Sequence, residues 1–139
     1  MIWPKEYKIE TINRLKKNTI HEPLGIEITA IGDDYLEGTM PIDNRTKQPA
    51  GILHGGASVV LAESLGSIAC SLMIDKETHY CVGQSIFANH IRPGISGLAH
   101  GKATPIHLGR KSQIWQIDLT NDEGKLICTC RLTMAILPK

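Results

Sequence analysis

The spacing of apolar residues along the chain changes period twice, and each change predicts a different element. Between residues 8 and 17, Ile9, Ile12 and Leu15 recur every third position among charged and polar neighbours, the pattern of a short amphipathic helix. From Gly25 the period drops to two. Ile26, Ile28 and Ala30 alternate with Glu27 and Thr29, Gly32-Asp33-Asp34 supplies turn chemistry, and Leu36, Gly38 and Met40 alternate with Glu37 and Thr39. Such a run predicts a hairpin. Asp43 to Gly51 reads as a polar loop punctuated by Pro49 and Gly51. His54-Gly55-Gly56 then opens a stretch of helix formers that continues to about Ile74 and is apolar around most of its circumference, which predicts a buried helix.

Beyond that helix the chain reads as strands. Tyr80 to Ile91 is one, stopped by Arg92-Pro93-Gly94, and Leu98 to Thr104 is the next, stopped by Pro105. Lys111 to Thr120 places Gln113, Trp115, Ile117 and Leu119 on one face; Lys125 to Leu137 does the same with Leu126, Cys128, Cys130, Leu132, Met134 and Ile136. Asn121-Asp122-Glu123-Gly124 joins them as a hairpin loop. A strand pair, one long helix and four further strands on short connections predict an α+β fold. In it an antiparallel sheet of about six strands wraps around one central helix, with residues 1–139 forming a single domain.

Composition narrows the function. The 139 residues are 42% hydrophobic and 21% charged, a globular balance. Fifteen Lys and Arg against fourteen Asp and Glu leave a formal charge of +1, and aromatics make up only 4%. A nucleic-acid binder built on a basic field or on base-stacking platforms is therefore excluded. Glu63 at the centre of the most apolar segment argues against a membrane span. The first seventeen residues lack the apolar core of a signal peptide, so a cytoplasmic location is expected. Cys70, Cys81, Cys128 and Cys130 show no C-x-x-C spacing; no metal site is expected, and Cys128 and Cys130 read as small buried hydrophobes on one strand face.

The candidate chemistry lies between residues 48 and 67. Gln48 is followed after five residues by His54-Gly55-Gly56, and Glu63 comes six residues further on, with Ser67 one turn beyond it. Backbone N–H groups at a helix start have no intrahelical partner, and the helix dipole adds positive character there, so Gly55 and Gly56 suit a developing oxyanion. Glu63, set among Leu61, Ala62 and Leu65, is placed to act as general base or nucleophile, and Ser67 shares its face. Gly55 and Glu63 are eight residues apart, about 12 Å along a helix. Both groups must lie within a few ångströms of one carbonyl carbon to act on it. If both act, the site is shared between two chains.

The run Thr46 to Gly56, the segment Ala62 to Ser67, and Met1-Ile2-Trp3, Asn89-His90, Pro105 to Gln116 and Arg131-Leu132-Thr133 together resemble the hotdog-fold acyl-CoA thioesterases. The resemblance covers nearly the whole chain. Within that group it points to the glutamate-dependent branch of the 4-hydroxybenzoyl-CoA thioesterase-like superfamily. It implies hydrolysis of aroyl-CoA thioesters, such as the 1,4-dihydroxy-2-naphthoyl-CoA of menaquinone biosynthesis, to the free acid and CoA. Coenzyme A then belongs to the substrate and no further cofactor is implied. The resemblance makes Glu63 the catalytic carboxylate, as nucleophile or as base, and gives Gln48 the acyl carbonyl or the water to position. His54 bonds near the thioester or holds its loop. It places Gly83, Asn89, His90 and Arg92, together with His107, Gly109, Arg110, Lys111 and Ser112, around the CoA portion, whose phosphates call for cations. It also implies a homotetramer, a dimer of dimers with active sites shared between chains. Ala50 and Phe87 depart from the family pattern, next to Gln48 and in the Gly83 strand respectively. Two other readings stand beside hydrolysis: an enoyl-thioester hydratase of the same fold, and a non-catalytic acyl-CoA-binding module. A carboxylate placed beyond a His-Gly-Gly helix start weighs against both.

Overall fold

The computed structural model describes residues 1–139. Two short helices, α1 (Ile9–Arg14) and α2 (His21–Leu24), precede a hairpin of β1 (Glu27–Ile31) and β2 (Leu36–Pro41). The long helix α3 (Gly55–Met73) follows, and then β3 (His79–His90), β4 (Leu98–Leu108), β5 (Ser112–Thr120) and β6 (Leu126–Pro138). All six strands form one antiparallel sheet in the order β1-β2-β4-β5-β6-β3, so β1 and β3 are its edges. The α+β arrangement of six strands on one helix agrees with the sequence pattern.

Three details differ from that pattern. α2 has no counterpart in it. β4 does not stop at Pro105: it runs on to Leu108 through a register shift between Pro105 and His107. The bulge leaves Ile106 unpaired just after Pro105, and pairing resumes at His107. Finally, α3 is not buried all round. Ser58, Leu61, Ala62, Leu65, Gly66, Ala69, Cys70 and Leu72 are buried, whereas Val60, Glu63, Ser64, Ser67, Ile68 and Ser71 are half-exposed on the other face. By length and composition α3 could cross a membrane, but here its buried face packs into the core formed with the sheet.

The seating of α3 depends on glycines. Gly38 of β2 lies opposite Gly101 of β4, and the Leu65 side chain rests in the gap they leave. A Cβ on Gly38 would come within 2.8 Å of Leu65 Cδ2, and one on Gly101 would collide with Leu65 Cδ1. On the helix side, a Cβ on Gly66 would meet Leu132 of β6 at 2.6 Å. Helix and sheet therefore approach side chain to backbone, closer than two layers of side chains allow. The N-terminal segment is tied across the far layer: the Trp3 ring stacks on Trp115 at a centroid distance of 6.2 Å, and its Nε1 donates to the Gly32 carbonyl at 2.6 Å. Cys128 and Cys130 are buried, as their strand spacing predicted.

Leu65→Ala should lower the unfolding free energy by about 2–5 kcal/mol, the usual range for emptying a core leucine site. Gly101→Ala should cost about 1–3 kcal/mol by overpacking. The double variant should be more stable than the sum of the two losses, because the new methyl enters the space the leucine vacates. Urea denaturation of the four proteins checks this; strict additivity would show that the two residues do not compete for one space.

Candidate active site

The loop between β2 and α3 is held by its own hydrogen bonds. Arg45 bonds to Asp43 through its side chain and backbone, which pulls the Asp43 carboxyl down to about 2. Thr46, 2% exposed, donates its hydroxyl to the Pro41 carbonyl at 2.7 Å, while its own carbonyl accepts from His54 N–H at 2.8 Å. Gln48 sits at the neck of a tight turn: its N–H donates to the Ile52 carbonyl at 2.9 Å, and its side-chain oxygen accepts from Ala50 N–H at 2.7 Å. The side-chain oxygen being used, the amide NH2 of Gln48 is the end left for anything outside the loop.

The start of α3 shows an unusual cap. His54 is the N-cap, and its Nδ1 accepts from Gly56 N–H at 2.8 Å. Ser, Thr, Asp and Asn are the usual residues there. An accepting Nδ1 puts the proton of the neutral ring on Nε2. The cap also corrects an expectation: of the two glycine N–H groups predicted to face an oxyanion, Gly56's is consumed inside the protein, and Gly55's is the one left. The His90 ring packs against Gly55, where a Cβ would lie 2.8 Å from Nε2. A cavity of about 470 Å³ opens here, lined by Gln48, Gly55, Ser58, His90 and Arg92. Two chain segments far apart in sequence, residues 48–58 and 90–92, thus converge on one helix N-terminus.

Glu63 lies elsewhere. It is half-exposed on the free face of α3, over Gly83 of β3, where a Cβ would collide with its Oε1. The five ion pairs of the chain all lie away from it. Ser67 shares its face but does not bond to it; the hydroxyl turns to Met134 Sδ at 3.7 Å, towards the sheet. Beyond Ser67 the face borders an apolar cavity of about 380 Å³, lined in part by Ile68, Ser71, Leu72, Tyr80 and Cys81. The sequence signal for this cavity is Ile68 beside Ser67 and Ser71, on the half-exposed face of the helix, with Leu72 at its buried margin. On the same helix, His21 of α2 bonds Ser64 through Nε2 at 2.9 Å, and burial lowers its pKa. It pins α2 beside Glu63, a position the sequence alone left without a role.

The two cationic segments expected around one CoA do not meet within the chain. Asn89, His90 and Arg92 sit at the end of the sheet where β6 begins, since Arg92 N–H donates to the Ile127 carbonyl. His107, Gly109, Arg110, Lys111 and Ser112 form the turn at the opposite end, where Ile136 N–H donates to the Lys111 carbonyl. Along β6 that separation is roughly 30 Å at about 3.3 Å per residue. Gly83, expected at the CoA groove, lies against Glu63.

Known proteins share about half of this sequence and much of its shape. The thioesterase superfamily matches residues 50–128. A 1,4-dihydroxy-2-naphthoyl-CoA hydrolase of Escherichia coli is 48% identical over 137 residues, 99% of this chain and 100% of that one. The proofreading thioesterase EntH of Cronobacter turicensis is 45% identical over 137 residues, 99% of each chain. The crystal structure of a thioesterase from Haemophilus influenzae superposes with a TM-score of 0.95 at 49% identity, covering 99% of this chain and 96% of the other.

The cap has its own consequence for stability. His54→Ala should cost about 0.5–2 kcal/mol of unfolding free energy, the loss typical of an N-cap acceptor. His54→Asn, which keeps an acceptor at that place, should stay close to the parent. Chemical denaturation monitored by circular dichroism checks both.

Proposed function

The chain belongs to the thioesterase superfamily and is an acyl-CoA thioesterase of hotdog fold; from that premise we propose that its substrates are aromatic acyl-CoA thioesters, 1,4-dihydroxy-2-naphthoyl-CoA or a similar aroyl-CoA. The observation that carries the proposal is the division of the site into two halves on one rigid helix. One half offers hydrogen-bond donors at Gly55 and Gln48; the other offers the Glu63 carboxylate, with no cation paired to it, next to an apolar cavity. At about 12 Å apart on one helix, the halves act on one thioester only when they come from two chains.

The β3 edge is where the second chain docks. It has no strand beyond it, and it exposes Tyr80, Val82 and Phe87. An edge of twelve residues is a template for pairing with another strand. Antiparallel pairing of two β3 edges about a two-fold axis sets the His90 end of one chain beside the His79 end of the other. Gly55 of one protomer then approaches Glu63 of its partner. The same operation puts the Arg110 and Lys111 turn at the end of the assembly where the other chain's Arg92 lies, so that phosphates of one CoA meet cations from both.

In the reaction, the acyl carbonyl accepts from Gly55 N–H, where the dipole of α3 favours the charge that develops on oxygen. Gln48 NH2 orients the carbonyl or the attacking water. Either Glu63 attacks the carbonyl carbon, the thiolate of CoA leaves and water hydrolyses the resulting anhydride to the free acid and Glu63, or Glu63 removes a proton from water as it attacks the carbon and the thiolate of CoA leaves with the free acid as the other product. The aromatic ring lies along Ser67 and Ser71 in the apolar cavity, whose volume falls within the roughly 300–1,000 Å³ of small-molecule pockets. The name of one relative, a 1,4-dihydroxy-2-naphthoyl-CoA hydrolase, supports the naphthoyl substrate, and menaquinone biosynthesis as its setting.

Glu63→Gln should fold like the parent and lose at least about 10²-fold in kcat on benzoyl-CoA or 1,4-dihydroxy-2-naphthoyl-CoA, the scale of a lost general base. Glu77→Gln and Glu123→Gln, exposed in turns, serve as controls and should keep the parent rate. Parent-like turnover by Glu63→Gln would refute the mechanism. Mixing Glu63→Gln chains with Gln48→Ala chains should restore part of the activity through hybrid sites; no recovery after demonstrated chain exchange would refute the shared site.

A further inference from the structure

An oxyanion cradle ordinarily uses two or more donors, and the His54 cap has taken one of the two that the glycines offered. Another donor stands in the same cavity. Ser58 is three residues after Gly55, on the same helix face, and is 3% exposed. Helical serines commonly turn the hydroxyl back to the carbonyl four residues earlier. Here the His54 carbonyl accepts Ser58's backbone N–H at 3.2 Å, and the hydroxyl makes no hydrogen bond within the chain. No side-chain oxygen or nitrogen of the protein is both fully shielded and without a partner. The Ser58 hydroxyl is therefore the part of a 97% buried residue that reaches the cavity lined by Gln48, Gly55 and His90. With no acceptor for it inside the chain, that hydroxyl is free to donate into the cavity.

We propose that the Ser58 hydroxyl donates a hydrogen bond to the thioester carbonyl oxygen beside Gly55 N–H, in the place of the donor that His54 removes. The inference rests on the hydrolytic reading of the site given above. Ser58 keeps its proton throughout: as the carbonyl carbon is attacked, the π electrons of the C=O bond move onto oxygen, and the Ser58 and Gly55 hydrogen bonds shorten onto that charge. When the thiolate leaves, the C=O bond re-forms and both bonds relax. Because the interaction strengthens as charge develops, it acts on kcat more than on KM.

The test compares the parent, Ser58→Ala, Ser58→Cys and Glu63→Gln on benzoyl-CoA. Ser58→Ala should lose about 100- to 1,000-fold in kcat with KM nearly unchanged, the range seen when one oxyanion donor is removed. Ser58→Cys, with a weak donor of similar volume, should fall between Ser58→Ala and the parent. Thermal melting reports whether each variant is folded. The carbonyl itself gives a second readout. Benzoyl-CoA labelled with ¹³C at the carbonyl, bound to the slow Glu63→Gln protein, should show its C=O stretch at lower frequency than when bound to Glu63→Gln/Ser58→Ala. Equal frequencies, or a folded Ser58→Ala with parent kcat while Glu63→Gln is inactive, would overturn the Ser58 assignment and leave the Glu63 mechanism standing. Full activity of Glu63→Gln would overturn that mechanism instead.

Discussion

The close seating of α3 on the sheet sets the position of everything else. Leu65 rests between Gly38 and Gly101, and Leu132 reaches in over Gly66, so the helix has one depth and one rotation at which its apolar face fits. Interiors packed at crystal-like density do not slide continuously, which makes that fit discrete. Given it, the first turn emerges beside His90 at one end of β3, and Glu63 falls over Gly83 further along the same strand. A one-residue rotation of α3 would carry Glu63 about 100° away from Gly83, since an α-helix turns through 3.6 residues. The glycines of the sheet thus act on chemistry at a distance, by fixing the register between a donor and a carboxylate that no side-chain motion can bring together.

The electrostatics of the site come from dipoles rather than ions. Arg92 at the donor cavity spends one guanidinium N–H on the Leu126 carbonyl, and no cation pairs with Glu63. A thioester carbonyl is neutral before attack and carries charge on oxygen only near the transition state. Fixed N–H dipoles reward that charge when it appears without binding an anion tightly beforehand, whereas a paired cation would hold the product acid. An unpaired Glu63 fits the role proposed for it, because an arginine partner would stabilise the carboxylate and weaken it as a base or nucleophile.

Much of the fold was legible because its signals are local. Alternation in Ile26 to Met40 and in residues 111–137 marks strands with one buried face, and the run after His54 marks one helix. β4 was cut short at Pro105 because a bulge is a property of two paired strands and leaves no trace in one. The candidate site was legible as a set of residues but not as a geometry. His54 was open to a bond near the thioester or to holding its loop, and only the folded chain shows its Nδ1 closing the helix; Ser67 shares a face with Glu63, yet its hydroxyl turns to Met134. The two cationic segments looked like one cluster until strand order placed them at opposite ends of β6. Ser58 drew no notice because a serine in a helix has no pattern of its own. What singles it out is burial without a partner, and that exists only once the chain has folded.

An unpaired β3 edge makes the assembly more than a convenience. A long exposed edge strand bearing Tyr80, Val82 and Phe87 is costly for an isolated protein, because it invites pairing with any chain that passes. Natural edges are blunted by charge, proline or a bulge. β3 carries a register shift between Gly83 and Ser85 but no charged residue other than its terminal histidines, and no proline. Pairing with a second β3 would satisfy the edge and cover its apolar side chains in one step. A two-fold axis through that strand is also the operation that, in the proposed assembly, would relate Gly55 to a partner's Glu63. On that proposal one surface would answer both the folding problem of an open sheet and the chemical problem of a divided site, and a sequence that kept Gly55 and Glu63 but charged the β3 edge would lose the second along with the first.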